Sequence, residues 1–249
     1  MHIVSSLLCV LILIILSIFL APRAAIIQTK HINPVDFEQY WLWGDIQTRP
    51  YLKTAKQLYI LQGQISWDKQ QKSIFHYQGI AARSLPSRQK IWLVFRNHHL
   101  NWSGQELEKI FNLIQRWESR NTHVIGIQID FDAKTKKMGD YAQFLAKLRQ
   151  QLPKHYQLSI TGLLDWTNIQ DQQTLQLLRE NIDELAIQTY QGSTTIKNYQ
   201  QYLARVAQLA IPFKVGYVQN GIYRPRQHYE KSRYFKGHII FLLREQKRL

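Results

Sequence analysis

The sequence predicts an α/β protein built as a single (β/α)8 TIM-like barrel, irregular in its first third and preceded by an N-terminal apolar helix. Three observations predict it. The chain has 249 residues, and single barrels of this kind start at roughly 200. Eight apolar runs of strand length recur along it, with amphipathic helical patterns between the later ones; such alternation implies parallel strands, because parallel neighbours need a crossover of about a dozen residues. One of the eight runs carries a polar face, where a strand of a parallel sheet normally reads apolar throughout. An open doubly wound sheet is the alternative arrangement of the same elements.

The first element is the uncharged run Ile3–Ala21, interrupted only by Ser5, Ser6 and Ser17. It approaches the roughly 20 residues that span a bilayer and exceeds the about 7–15 of a secretory apolar region. Residues 1–22 are expected to be a signal peptide or a membrane anchor, with Pro22 and Arg23 spoiling the small-x-small cleavage pattern and favouring the anchor. Residues 23–38 are expected to be a linker and residues 39–249 the barrel. An exported location follows from this reading, either membrane-anchored or periplasmic/extracellular.

The strand candidates are Tyr40–Trp43, Gln57–Gln64, Ile91–Arg96, Val124–Asp132, Gln157–Thr161, Leu185–Tyr190, Phe213–Val218 and His238–Leu243. Gln64–Gly79 has the pattern of a hairpin rather than a crossover helix. A helix over Gly104–Arg120 opens with a capping box from Ser103 and Glu106. Leu107, Ile110, Phe111, Ile114 and Trp117 fall on one of its faces. A second helix is expected from Asp140, boxed by Gln143 and ended by Pro153, and two more near Asp171–Glu180 and Asn198–Leu209.

Lys and Arg number 32 against 17 Asp and Glu, a formal net charge of +15. Such an excess concerns partners rather than fold and favours anions. No block of five basic residues, zinc-finger spacing or single-strand stacking signature occurs, so no nucleic-acid partner is expected. Cys9 is the only cysteine and lies in the leader, which excludes disulfides, thiolate metal ligands and a thiol nucleophile from the domain. His98 and His99 are adjacent and no H-x-x-x-H occurs, so no metal and no cofactor are expected. A Gly-rich phosphate loop and a G-x-S-x-G elbow are likewise missing.

The chemistry concentrates in Val124–Asp132, V-I-G-I-Q-I-D-F-D. Side chains alternate faces along a strand, which places Ile125, Ile127, Ile129 and Phe131 on one face and Gly126, Gln128, Asp130 and Asp132 on the other. In a barrel the polar face points inward, and the two carboxylates reach the C-terminal mouth, where barrel active sites lie. They sit about 6.5–7 Å apart along the strand, and their mutual repulsion holds one proton to higher pH. Other strand ends supply further candidates: Gln188 and Tyr190, Asp165 and Trp166, Arg96, and Trp43. Rings that cover sugar faces and amides that pair with hydroxyls make up a glycan site.

At this strand the sequence resembles glycoside hydrolase family 18, whose signature D-G-x-D-x-D-x-E aligns with Ile125–Asp132 without gaps. Asp130 matches the last Asp of the signature, and Asp132 stands where the catalytic Glu would. Ile125 and Gln128 replace the first and second Asp; the second positions the substrate's acetamido group in that family. Over more of the chain, Gly126–Asp132, Ser159–Trp166, Ile182–Gly192 and Lys236–Arg244 resemble the bacterial family called domain of unknown function 3142. That resemblance implies a glycosidase-like barrel without naming a substrate.

The expected function is a carbohydrate-active envelope protein, a glycoside hydrolase acting on a poly- or oligosaccharide, with an anionic one in keeping with the net charge. Asp132 is the expected general acid and Asp130 its electrostatic partner. Tyr190 and Gln188 would position the sugar, Trp166 and Trp43 stack on it, and Asp165 could serve as a second carboxylate. The alternative is a non-catalytic glycan-binding or scaffold barrel tethered to a membrane by residues 3–21, favoured by the carboxylates replaced at 125 and 128.

Overall fold

Closure is decided by the first strand. In the computed structural model, which describes residues 29–44, 50–83, 85–86, 88–133, 137–225 and 227–243, β1 (Gln39–Leu42) pairs in parallel with both β2 (Gln57–Trp67) and the last strand, β8 (Phe235–Phe241). Between them run β3 (Lys90–Asn97), β4 (His123–Asp130), β5 (Gln157–Gly162), β6 (Glu184–Gln188) and β7 (Phe213–Val218). Each is hydrogen-bonded in parallel to the strand before and after it. The result is a closed eight-stranded barrel, not an open doubly wound sheet. All eight expected strands form, with ends displaced by up to three residues. The leader Ile3–Ala21, Cys9, residues 23–28 of the expected linker and Arg244 lie outside the described residues. Among the described residues no helix is long and apolar enough to cross a membrane.

The irregularity of the first third is real. β2 runs past the barrel rim to Trp67 and returns as the antiparallel strand Ser73–Tyr77, the hairpin expected over Gln64–Gly79. Pro50–Thr54, between β1 and β2, forms only a short 3-10 turn. The later crossovers carry α1 (Gln105–Glu118), α2 (Met138–Gln151), α3 (Gln172–Asn181) and the short α4 (Tyr199–Leu203).

Two of the expected caps change on folding. At α1 the Glu106 carboxylate accepts the Ser103 backbone N–H at 2.7 Å, as one arm of a capping box. The Ser103 hydroxyl, however, donates to the same carboxylate at 2.9 Å instead of accepting a helix amide. α2 begins at Met138, ahead of Asp140, with no side-chain cap, so Asp140 and Gln143 do not form a box at its start. α3 is capped by Asp171, whose carboxylate accepts the Gln173 and Thr174 amides at 3.2 Å each. The expected Asn198–Leu209 helix divides into α4 and a 3-10 turn over Val206–Leu209.

Outward-facing Ile127, Ile129, Leu158 and Ile160 bury against the helix layer, with Tyr141 and Leu145 of α2. Strict alternation along β4 fails at one place. The register passes from Ile91↔Val124 to Trp92↔Gly126 and leaves Ile125 as an extra residue. This bulge puts Val124 in the outer core and packs Ile125 on the inner cluster with Trp41, Trp92 and Val94, contrary to the face assigned from the sequence. At Gly216 a Cβ would lie 2.5 Å from the Trp41 ring, so glycine there leaves room for the indole inside the barrel.

Much of the barrel axis is polar. Lys214 on β7 and Glu184 on β6 form a buried ion pair at 2.8 Å. The Lys214 ammonium also donates to Gln57 Oε1 at 2.6 Å and to the Tyr59 hydroxyl at 2.7 Å. Tyr59 and Ser159 donate in turn to Glu184 Oε1, at 2.7 and 3.0 Å. Ser159 accepts from Gln128 Nε2 at 2.9 Å, and Gln128 Oε1 accepts the Trp41 indole N–H at 2.7 Å. Deleting one partner of a buried pair leaves an uncompensated charge, which costs about 3–5 kcal/mol. In urea titrations Lys214→Met is therefore expected to lose stability of that order, and Lys214→Met/Glu184→Gln to recover at least half of it. A double variant no better than the single one would show that the charge pairing is not what the axis relies on.

Candidate functional site

β3, β4, β6 and β8 end around one cleft at the C-terminal mouth, with a volume of about 640 Å3. Its walls include Trp43 just beyond β1, Arg96 of β3, Asp130 and Asp132, Gln188 at the end of β6 and Tyr190 beyond it, and Phe241 of β8. Asp130 is buried at its base, and Asp132, just past the end of the strand, is exposed at the rim. Of the polar face of β4, Asp130 and Asp132 thus reach the mouth.

Asp130 is held from both neighbouring strands. Arg96 is its register partner on β3, with Nε 3.9 Å from Asp130 Oδ2. On the other side Gln128 is level with Ser159, and two residues further along, Thr161 donates its hydroxyl to Asp130 Oδ1 at 2.7 Å. Burial is the largest influence on the carboxyl and raises it from 3.8 to about 6; repulsion by Asp132 adds to the rise, while the Thr161 hydrogen bond and Arg96 oppose it. The carboxyl pushed up is Asp130, and burial contributes more to the rise than the repulsion expected from Asp132. The Tyr141 and Tyr190 hydroxyls, buried and exposed to the Asp130 charge, are both pushed well above the usual phenol range.

The opposite wall is aromatic. Tyr190 stacks on Phe241 at 5.5 Å, and Trp43 meets Phe241 edge-on at 5.3 Å. The Arg96 guanidinium lies 5.5 Å from the Trp43 ring centre. Arg96 thereby joins the carboxylate side of the cleft to the aromatic side.

Six residues singled out in the sequence meet here: Asp130, Asp132, Arg96, Trp43, Gln188 and Tyr190. Three do not. Trp166 is fully buried, donating its indole N–H to the Ala133 carbonyl at 3.0 Å and packing edge-on against Tyr141. Both its position and its hydrogen bond withhold it from a ligand. Asp165 lies on the adjoining 3-10 turn Leu164–Asn168 and does not line the cleft. Gln128 points inward as expected, but both ends of its amide are engaged, by Trp41 and Ser159, below the cleft floor. Sequence reasoning missed Thr161 and Phe241. Thr161 had a signal: Ser159 and Thr161 repeat on β5 the inward polar spacing of Gln128 and Asp130 on β4. Among the described residues no three His, Cys, Asp or Glu side chains gather in a form that could hold a metal ion.

Residues 97–212 match the family described as a domain of unknown function, DUF3142, a little under half of the chain. The matched span holds Asp130, Asp132, Gln188 and Tyr190; Trp43, Arg96 and Phe241 lie outside it, as does Lys236–Arg244. No curated protein matches the chain. One solved structure that matches is the spore cortex-lytic enzyme SleL of Bacillus cereus, at 17% identity and a TM-score of 0.48, covering 73% of this chain and 50% of that one. The chain thus spans about half the length of that relative.

The raised Asp130 carboxyl has a consequence for stability. A carboxyl whose folded pKa lies above its unfolded value stabilises the fold below the unfolded pKa, and loses that contribution as pH rises through the folded one. Here the window runs from 3.8 to about 6, and at 1.36 kcal/mol per unit it amounts to roughly 2–3 kcal/mol. Asp130→Asn removes the titration. It is expected to raise the melting temperature relative to the parent at pH 7.5, with the advantage fading by pH 4. An equal difference at both pH values would contradict the burial account.

Proposed function

We propose that the protein is a carbohydrate-active enzyme that hydrolyses glycosidic bonds in the cleft around Asp130 and Asp132. The carrying observation is the pairing of a buried carboxyl that keeps its proton to about pH 6 with an exposed one beside it, opposite an aromatic wall. Sugar rings lie against Trp43, Tyr190 and Phe241, and the Gln188 amide pairs with hydroxyls. Asp132, at the cleft surface, acts as general acid and delivers a proton to the leaving glycosidic oxygen. Asp130 beside it tunes that acid electrostatically, with Thr161 and Arg96 fixing its orientation. In this reading the substrate is an envelope or extracellular poly- or oligosaccharide, and the apolar run Ile3–Ala21 carries the domain to or across the membrane.

One observation favours a second reading, a glycan-binding barrel without turnover. The acids lining the cleft are Asp130 and Asp132 alone among the described residues, and they come from a single strand. Two-carboxylate hydrolysis places its groups on either side of the bond. Gln128, where the resemblance to family 18 would put another acid, is committed to the barrel interior.

The two readings separate on reducing-end release from a panel of envelope and extracellular polysaccharides. The parent is expected to release ends, and Asp132→Asn to lose at least about 100-fold, the scale of one general acid. A parent that binds a glycan and releases nothing would transfer the protein to the second reading.

A further inference from the structure

A second cleft, of about 540 Å3, opens on the far side of the loop that follows β4. Two adjacent residues just past β4 divide between the clefts: Asp132 lines the first and Phe131 the second. Trp67, lifted above the rim by the hairpin, presents an exposed ring there. His99 lies under it, stacked at 3.7 Å between ring centres and 20° between planes.

His99 is 7% exposed. Its Nδ1 accepts the Asn101 backbone N–H at 3.2 Å, so in the neutral ring the proton sits on Nε2. That Nε2 has no hydrogen-bond partner among the described residues, and the cleft is lined by this side chain. A buried donor left without an acceptor carries a desolvation penalty that a ligand oxygen would remove. Around it stand two ammonium groups, Lys137 and Lys147, against one carboxylate, Asp140. The cleft therefore combines a flat aromatic platform, a preoriented N–H donor and a local excess of positive charge.

We infer that this second cleft is a subsite for an acidic sugar chain: one ring packs on the face of Trp67 turned away from His99, and a carboxylate past the edge of the indole meets His99 Nε2 and Lys147. The inference deepens the glycan reading of the first cleft: the sugar bound here would be another residue of the same polymer. It explains locally what a basic surface does for a glycan-directed protein, by selecting charged over neutral chains.

The test is calorimetric titration of the full chain with tetragalacturonate, with neutral cellotetraose and with citrate, a carboxylate lacking a sugar ring. Tetragalacturonate is expected to bind at least tenfold more tightly than either, and more weakly as salt rises, because exposed charges are screened. Trp67→Ala is expected to weaken it about tenfold, the scale of one aromatic contact. Lys147→Ala should weaken it several-fold and flatten the salt dependence. His99→Phe keeps a ring beneath Trp67 and removes both the Nε2 donor and the Nδ1 acceptor of the Asn101 amide, so a several-fold loss of affinity in a variant that still folds marks the contribution of the His99 ring nitrogens. Equal binding of cellotetraose or citrate, absence of tetragalacturonate binding, or parent-like affinity in Trp67→Ala would overturn the subsite. Failure of the first-cleft reading would appear instead as a parent without turnover, leaving the Trp67 effect on binding intact.

Discussion

A lysine ammonium closed inside a barrel sets the terms for everything above it. Among the described residues Lys214 is paired with Glu184, Gln57 and Tyr59, groups from β6 and β2, so these strands cannot shift against β7 without stranding a charge in a low-dielectric interior. The constraint passes upward through directional contacts. Glu184 orients Ser159, Ser159 orients Gln128, and Gln128 fixes the Trp41 indole, for which Gly216 leaves space. The register of β4 and β5 at that level then decides that Thr161 meets Asp130 one step higher. An apolar interior could fill the same volume with no such preference for one register.

At the mouth the same physics is turned against stability. A buried carboxyl with one good donor and a guanidinium 3.9 Å away is undercompensated, and its high pKa expresses that deficit. Proteins tolerate such groups where reactivity is needed, and the surrounding strands hold the strained arrangement in place. Arg96 has a divided task, facing Asp130 on one side and the Trp43 ring on the other, which ties the electrostatic half of the cleft to its aromatic half.

Several of these features were legible in the sequence because they are local and periodic. The polar face of Val124–Asp132 stood out since period-two alternation violated the apolar rule for parallel strands, and every barrel strand announced itself as an apolar run. The lysine of Phe213–Val218 was visible too, but its role depends on Glu184 and on Gln57, more than 150 residues away, and no local pattern carries such a pairing. The Ile125 bulge was hidden because it arises from register with β3, not from the residues of β4 themselves. Trp166 was misjudged for a related reason. A tryptophan after a strand end can face the mouth or fold under the adjoining helix, and only the position of the Ala133 carbonyl decides between them. The helix expected from Asp140 begins two residues earlier, at Met138, and the one expected from Asn198 starts there but stops at Leu203, where a 3-10 turn takes over.

The barrel's narrowest seam lies between β8 and β1. Its register consists of two pairs, Ile240↔Tyr40 and Phe241↔Trp41, joining residues about two hundred positions apart. Just beyond it, Trp43 and Phe241 touch edge to face across the gap, and both rings line the cleft. A ligand lodged against them bridges the first and last strands of the chain, and so acts as a clasp on the ring of strands. Occupancy of the mouth and integrity of the whole barrel are thereby thermodynamically linked: any ligand held against those rings tightens the closure that shapes its own binding site.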